Sequence, residues 1–167
     1  SANYITLNNQ TIEKSLSINK DNVVFVVSDR ALYAVTYNNN RIKILWTLYY
    51  ESSSDISSKA IFKGSGTTPL LIGSELVVIA DNASPTYNIL FVDQKTGHLL
   101  SKVNTPFSLT QCSLVAYDDN SVITVNNAGY GTFMNVHVNG NLPFPGIALI
   151  DRHQGIKWVN NDIIPAT

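Results

Sequence analysis

The sequence predicts an all-β fold built from one four-stranded antiparallel unit repeated three times. Helical periodicity is scarce, and short runs of β-branched and aromatic residues bounded by Asn, Asp, Gly, Ser and Pro recur instead, the pattern of many short strands. Apolar runs then pair off three times, 21–27 with 32–35, 74–80 with 89–92, and 119–125 with 147–150. Within these pairs Val35, Val92 and Ile150 fall at a near-constant spacing of about 57 residues, and a period that steady marks a repeat architecture.

Each unit divides into four strands. The first covers 15–19, 68–73 or 112–117 and ends in a polar turn; the second is the Val-rich run; the third carries the aligned Val or Ile; the fourth covers 42–49, 98–103 or 156–160. Before the fourth strand come turns such as Asp93-Gln94-Lys95-Thr96-Gly97 and Asp151-Arg152-His153-Gln154-Gly155. There the Asp side chain can bond the backbone ahead of it, and Gly accepts the positive φ that closes the hairpin. Asp118-Asp119-Asn120 occupies the place of Lys20-Asp21-Asn22 in the first unit, which makes it a hairpin turn rather than a catalytic acid pair. One domain, 1–167, is expected, with units at about 12–50, 64–104 and 111–160.

Composition narrows the partners. Eleven basic and twelve acidic residues leave a net charge of -1, with 14% of the chain charged, so no basic footprint for nucleic acid or an anionic membrane is expected. No apolar run nears the roughly 18 residues that span a bilayer. Cys112 is the single cysteine, so no internal disulfide can form, and a small buried hydrophobe is its expected role. Residues 1–20 lack the basic and apolar regions of a secretory signal. Abundant Asn and Ser, with Asn-x-Ser/Thr at Asn9 and Asn82, nevertheless lean toward an exported protein whose leader has been removed.

The stretch 22–35 with Trp46 closing its fourth strand, Phe91-Val92-Asp93-Gln94-Lys95-Thr96-Gly97, and 149–158 ending in Trp158 together resemble the repeat of pyrroloquinoline-quinone-type β-propellers. The likeness covers most of residues 15–160. The second unit departs from it with Leu100-Ser101 where the closing Trp stands, and the first with Asn38-Asn39-Asn40 in place of Thr-Gly. More narrowly, Gly64-Ser65-Gly66-Thr67-Thr68-Pro69, Asp81-Asn82-Ala83, 126–130 and Pro145-Gly146 resemble uncharacterised bacterial propeller proteins with quinoprotein-like repeats. The resemblance implies a partial β-propeller of about three four-stranded blades. Three blades fall short of the four to eight that close a ring, so a longer parent or self-association through the open blade edges is expected.

In such a meander the linker entering strand one and the loop between strands two and three emerge on the same face. That gathers residues 64–68, 81–88 and the long loop 126–146, and loops so long within a domain are usually functional or disordered. Thr67, Thr68, Asp81, Asn82, Asn88, Asn126, Asn127 and Tyr130 form the candidate ligand-binding cluster. Hydroxyls, amides and one carboxylate beside an aromatic ring suit a neutral polar ligand such as a sugar or peptide backbone. Asn and Asp also serve ordinary strand-ending turns, and one Asp among amides would bind calcium weakly.

No catalytic residue, metal site or cofactor is expected. Gly64-Ser65-Gly66 lacks the surroundings of a nucleophile elbow or a phosphate loop. His98, His137 and His153 show no ligand spacing, and only His137, in the long loop, merits mutation. Quinoprotein dehydrogenases of similar fold hold quinone and calcium at the centre of a complete ring, which about three blades with one cysteine do not assemble. The expected function is a non-catalytic binding or scaffold module for a small polar ligand or protein partner. Its rivals are a fragment of a quinoprotein-like oxidoreductase, and an assembly factor resembling the propeller lipoprotein that helps insert outer-membrane barrels.

Overall fold

The computed structural model describes residues 4–52, 64–129 and 144–164, which form strands and turns without any helix. The strands are β1 (Ser17–Ile18), β2 (Val24–Val27), β3 (Ala31–Asn38), β4 (Arg41–Tyr49), β5 (Leu70–Ile72), β6 (Leu76–Ala80), β7 (Asn88–Asp93), β8 (Leu99–Asn104), β9 (Val115–Ala116), β10 (Ser121–Val125), β11 (Ile147–Asp151) and β12 (Gly155–Asn160). They make three four-stranded sheets, β1 to β4, β5 to β8 and β9 to β12. Every pairing is antiparallel between neighbours in the chain.

The repeat extends to an irregularity. The register of each sheet's third and fourth strands shifts between Ala34 and Val35, between Phe91 and Val92, and between Leu149 and Ile150. These are the steps into the three residues aligned from sequence. A bulge bends its strand and sharpens the local twist, so its recurrence gives all three sheets the same warp.

Side-chain alternation then decides how the sheets stack. Phe25, Val27, Leu32 and Ala34, with Trp46 and Leu48, pack against Val77, Ile79, Leu90 and Val92 of the second sheet. The other face of that sheet, Leu76, Val78, Ala80, Ile89 and Phe91, meets Val122, Ala148 and Ile150 of the third, with Tyr87, Phe107 and Leu114 filling in. The middle sheet is therefore covered on both faces, and β6 and β7 read as almost unbroken apolar runs. Each fully buried large side chain contributes about 1.5–3 kcal/mol, which concentrates the cohesion of the molecule here.

A polar tie repeats at both sheet junctions. Trp46 Nε1 donates to the Gln94 carbonyl at 3.0 Å, and its ring lies so close to Gly97 that a Cβ there would sit 2.5 Å away. At the equivalent position of the second sheet Ser101 Oγ donates to the Arg152 carbonyl at 2.8 Å. Gln94 and Arg152 each follow the turn aspartate, so the serine that replaces tryptophan keeps the same hydrogen bond. The turns behave as their chemistry demands: Asp93 Oδ1 accepts from Lys95 N and Thr96 N, and Asp151 Oδ1 from His153 N and Gln154 N. Partial burial alone would raise both carboxyls; the donated hydrogen bonds outweigh it and hold both below their ordinary value. The Asp118 turn is also an ordinary hairpin, with Asn120 N donating to Asp118 Oδ1.

The first sheet differs at its β3–β4 turn. Asn39 and Asn40 both take positive φ, 49° and 58°, which makes a two-residue hairpin of the primed type. Its strands run on to eight and nine residues against six in β7 and β8. The outer face of this sheet, expected to lie open, is partly covered by residues 4–12. Ile5, Leu7 and Ile12 lie over Val26, Tyr33, Val35, Ile42 and Ile44 around a cavity of about 160 Å³. Gln10 Oε1 fastens this segment by accepting from Ser28 Oγ at 2.6 Å and Tyr33 OH at 2.8 Å.

Candidate functional site

Of the three segments expected to meet, 64–68 and 81–88 do so through Asn82. The described start of the third, 126–129, is tied through Asn127 to the same linker residue, Thr110, that Asn82 holds; residues 130–143 of that loop lie outside the described residues. Asn82 Nδ2 donates to Gly64 O at 3.1 Å and Thr110 O at 2.9 Å, while its Oδ1 accepts from Thr110 N at 3.1 Å. One buried amide thus ties the β6–β7 loop to the linkers entering both the second and third sheets. Asn127 Oδ1 accepts from Gln111 N at 2.8 Å and Thr110 Oγ1 at 3.4 Å, and Asn127 N donates to Leu109 O. Thr67 Oγ1 accepts from Ala80 N at 3.1 Å and lies 3.0 Å from Ser65 Oγ. Asn126 Oδ1 accepts from Ala128 N, and its Nδ2 donates to Pro145 O.

Asp81 and Asn88 form a second knot. Asp81 Oδ1 accepts from Ala83 N and Asn88 N, and Asp81 Oδ2 from Asn88 Nδ2 at 2.7 Å. The chain of amides continues through Asn104 Nδ2 to Asn88 Oδ1. Burial pushes the Asp81 carboxyl up, and the donors from Ala83 and Asn88 offset part of that rise.

Thr67, Asp81, Asn82, Asn88, Asn126 and Asn127 are all buried. Their hydrogen-bonding capacity goes largely to the protein's own backbone, as buried polar groups require. Thr68 is different: it is half-buried, and its hydroxyl makes no hydrogen bond to another described residue. Tyr130, Phe133 and His137 lie outside the described residues.

Sequence reasoning missed one member of this arrangement. After β2, β6 and β10 come Ser28-Asp29, Asp81-Asn82 and Asn126-Asn127. The first residue of each pair accepts from the backbone N–H two residues ahead: Ser28 from Arg30, Asp81 from Ala83, Asn126 from Ala128. The second clips a linker that enters a sheet: Asp29 Oδ1 accepts from Thr11 N at 3.0 Å, as Asn82 and Asn127 accept from Thr110 and Gln111. Asp29 was therefore detectable from its place in the repeat. Two phenols, the half-buried Tyr50 and the buried Tyr87, brace the same joints. Tyr50 OH donates to Ser28 O and accepts from Ser65 N, and Tyr87 OH lies 2.7 Å from Thr124 Oγ1 and donates to Val125 O. Burial pushes both phenols up.

Among the described residues no group of three His, Cys, Asp or Glu side chains is placed to hold a metal ion, and no helix is long and apolar enough to cross a membrane. No family model matches the chain. An uncharacterized protein of Archaeoglobus fulgidus is 27% identical over 85 residues, which is 49% of this chain and 16% of that protein. The chain thus spans about one sixth of the relative's length.

Proposed function

We propose that this chain is a non-catalytic, propeller-like scaffold of three blades that displays one loop face to a protein partner or a neutral polar ligand. The observation that carries this reading is the fate of the polar cluster. Its buried amides and carboxylate are engaged with linker and loop backbone and with one another, so they set the shape of the loop face instead of offering it free donors and acceptors. Chemistry for recognition is left to the more exposed groups on the same loops, the Thr68 hydroxyl and the tip Ser84-Pro85-Thr86. The common warp of the sheets and the repeated tie from β4 and β8 to the next turn support the radial stacking of blades.

The chain is to be probed on peptide and glycan arrays, in parallel with Ser84→Arg and Thr68→Arg variants, and titrated with pyrroloquinoline quinone and calcium. Binding that either variant weakens about tenfold or more without a drop in melting temperature is the expected result. A visible-band quinone complex that reduces dye overturns the non-catalytic reading, and binding untouched in both variants removes the loop face from it.

A further inference from the structure

Both internal junctions run in one direction: the trailing face of one sheet is received by the leading face of the next. The first sheet has a leading face that no other sheet of the described residues covers. There Val26, Tyr33, Val35 and Ile44 hold the register positions of Ile79, Leu90, Val92 and Leu99, by which the second sheet receives the first. All four positions are apolar in both sheets. Ile79, Leu90 and Val92 are buried, whereas Val26, Val35 and Ile44 remain half-exposed beneath residues 4–12.

The third sheet has the converse. Ile123, Ile147, Leu149 and Trp158 hold the positions of Phe25, Leu32, Ala34 and Trp46, the trailing face that the first sheet lays on the second. Trp46 uses its indole N–H on the neighbouring turn. Trp158 is 41% exposed, and its indole N–H has no acceptor among the described residues.

We infer that two copies of this chain associate head to tail, the trailing face of each third sheet docking on the leading face of the partner's first sheet. A donor face and a receiver face on one molecule make a heterologous contact, which forms a ring if the rotation closes. The described sheets of two copies number six, within the roughly four to eight with which radial stacks close. The docking continues the two interfaces already inside the chain, with Trp158 as its central aromatic anchor. Residues 4–12 compete for the receiving face and must shift aside, which weakens the association without abolishing it. The inference rests on the radial stacking proposed above.

Sedimentation of the full chain across a concentration series tests it, with Trp158→Arg and Ile44→Arg as variants and near-ultraviolet circular dichroism verifying that each folds. Wild-type chain is expected to dimerise, and each variant to raise the dissociation constant about tenfold or more. Mixing the two variants is the deciding step. One intact donor then meets one intact receiver, so a dimer must reappear in the mixture. A wild-type chain that stays monomeric overturns the docking, while the loop-face reading is still judged by its own binding assays. A dimer that neither variant weakens, or one that mixing fails to restore, overturns the head-to-tail geometry.

Discussion

Asn82→Ala removes three hydrogen bonds in a single step, those to Gly64 O and Thr110 O and that from Thr110 N. A typical hydrogen bond contributes about 0.5–1.5 kcal/mol net, and a buried partner left unsatisfied costs about 1–3 kcal/mol, so the loss should reach about 3–4 kcal/mol. Asn82 also sits at φ 52°, where alanine costs about 1 kcal/mol more. At about 2–4 °C per kcal/mol for a chain of this size, the melting temperature should fall by roughly 10–15 °C. Asn82→Gly relieves the backbone term and should recover about 1 kcal/mol of this. Asn82→Asp keeps the acceptor for Thr110 N but turns a carboxylate oxygen toward two carbonyls. It should therefore destabilise at neutral pH and recover on acidification as the new carboxyl protonates. Thermal melts of the three variants between pH 4 and 8 are the assay. An Asn82→Ala protein melting within about 3 °C of wild type would refute the view that this amide is a structural joint.

The remaining predictions concern the repeat and its carboxylates. Gly97→Ala forces a Cβ toward the Trp46 ring at a φ of 72° and should cost about 2–4 kcal/mol by urea unfolding, with a shift in tryptophan emission; unchanged emission and midpoint would refute the docked indole. Asp93 and Asp151 are held below their ordinary value when folded, so the unfolded chain binds more protons between the lowered value and about 3.9. Their stabilisation is present above that window and lost as pH falls through it, so an Asp93→Asn, Asp151→Asn double variant should show a flatter melting profile below about pH 4. Asp81 has the opposite sign. Its folded carboxyl is raised, so its contribution is full below the ordinary carboxylate value and lost as pH climbs through the raised one. Asp81→Asn should remove that decline, and a decline that persists unchanged assigns it to another group.

Strand placement was legible because it rests on local rules. β-branched runs, turn aspartates and the near-constant spacing of Val35, Val92 and Ile150 depend on residues adjacent in the chain, and the register shift found before each of the three shows that the alignment tracked real geometry. The meeting of the loops was legible for the same reason, since antiparallel connectivity settles which ends share a face. What those loops do with their polar atoms was not. Asn82 and Asn127 look like ligand contacts in isolation, and only the path of residues 109–111 beside them reveals that backbone already fills the role. Asp29 escaped because its partner, Thr11, lies in a segment that carries no strand signal. The folding back of residues 4–12 over the first sheet was hidden too, because it depends on long-range contacts by Gln10 that no local pattern encodes.

The inner strands of the middle sheet, β6 and β7, have no face toward solvent, and that fixes the order in which the molecule can open. Amide protons of β6 and β7 can exchange with deuterium only after one flanking sheet has peeled away, so their protection should approach that of complete unfolding. The outer strands β4 and β12, each with one neighbour, should exchange through smaller openings. Stability in this chain is thus shared by nearest neighbours, as in a stacked array, and a lesion in the second sheet should loosen both of the others together.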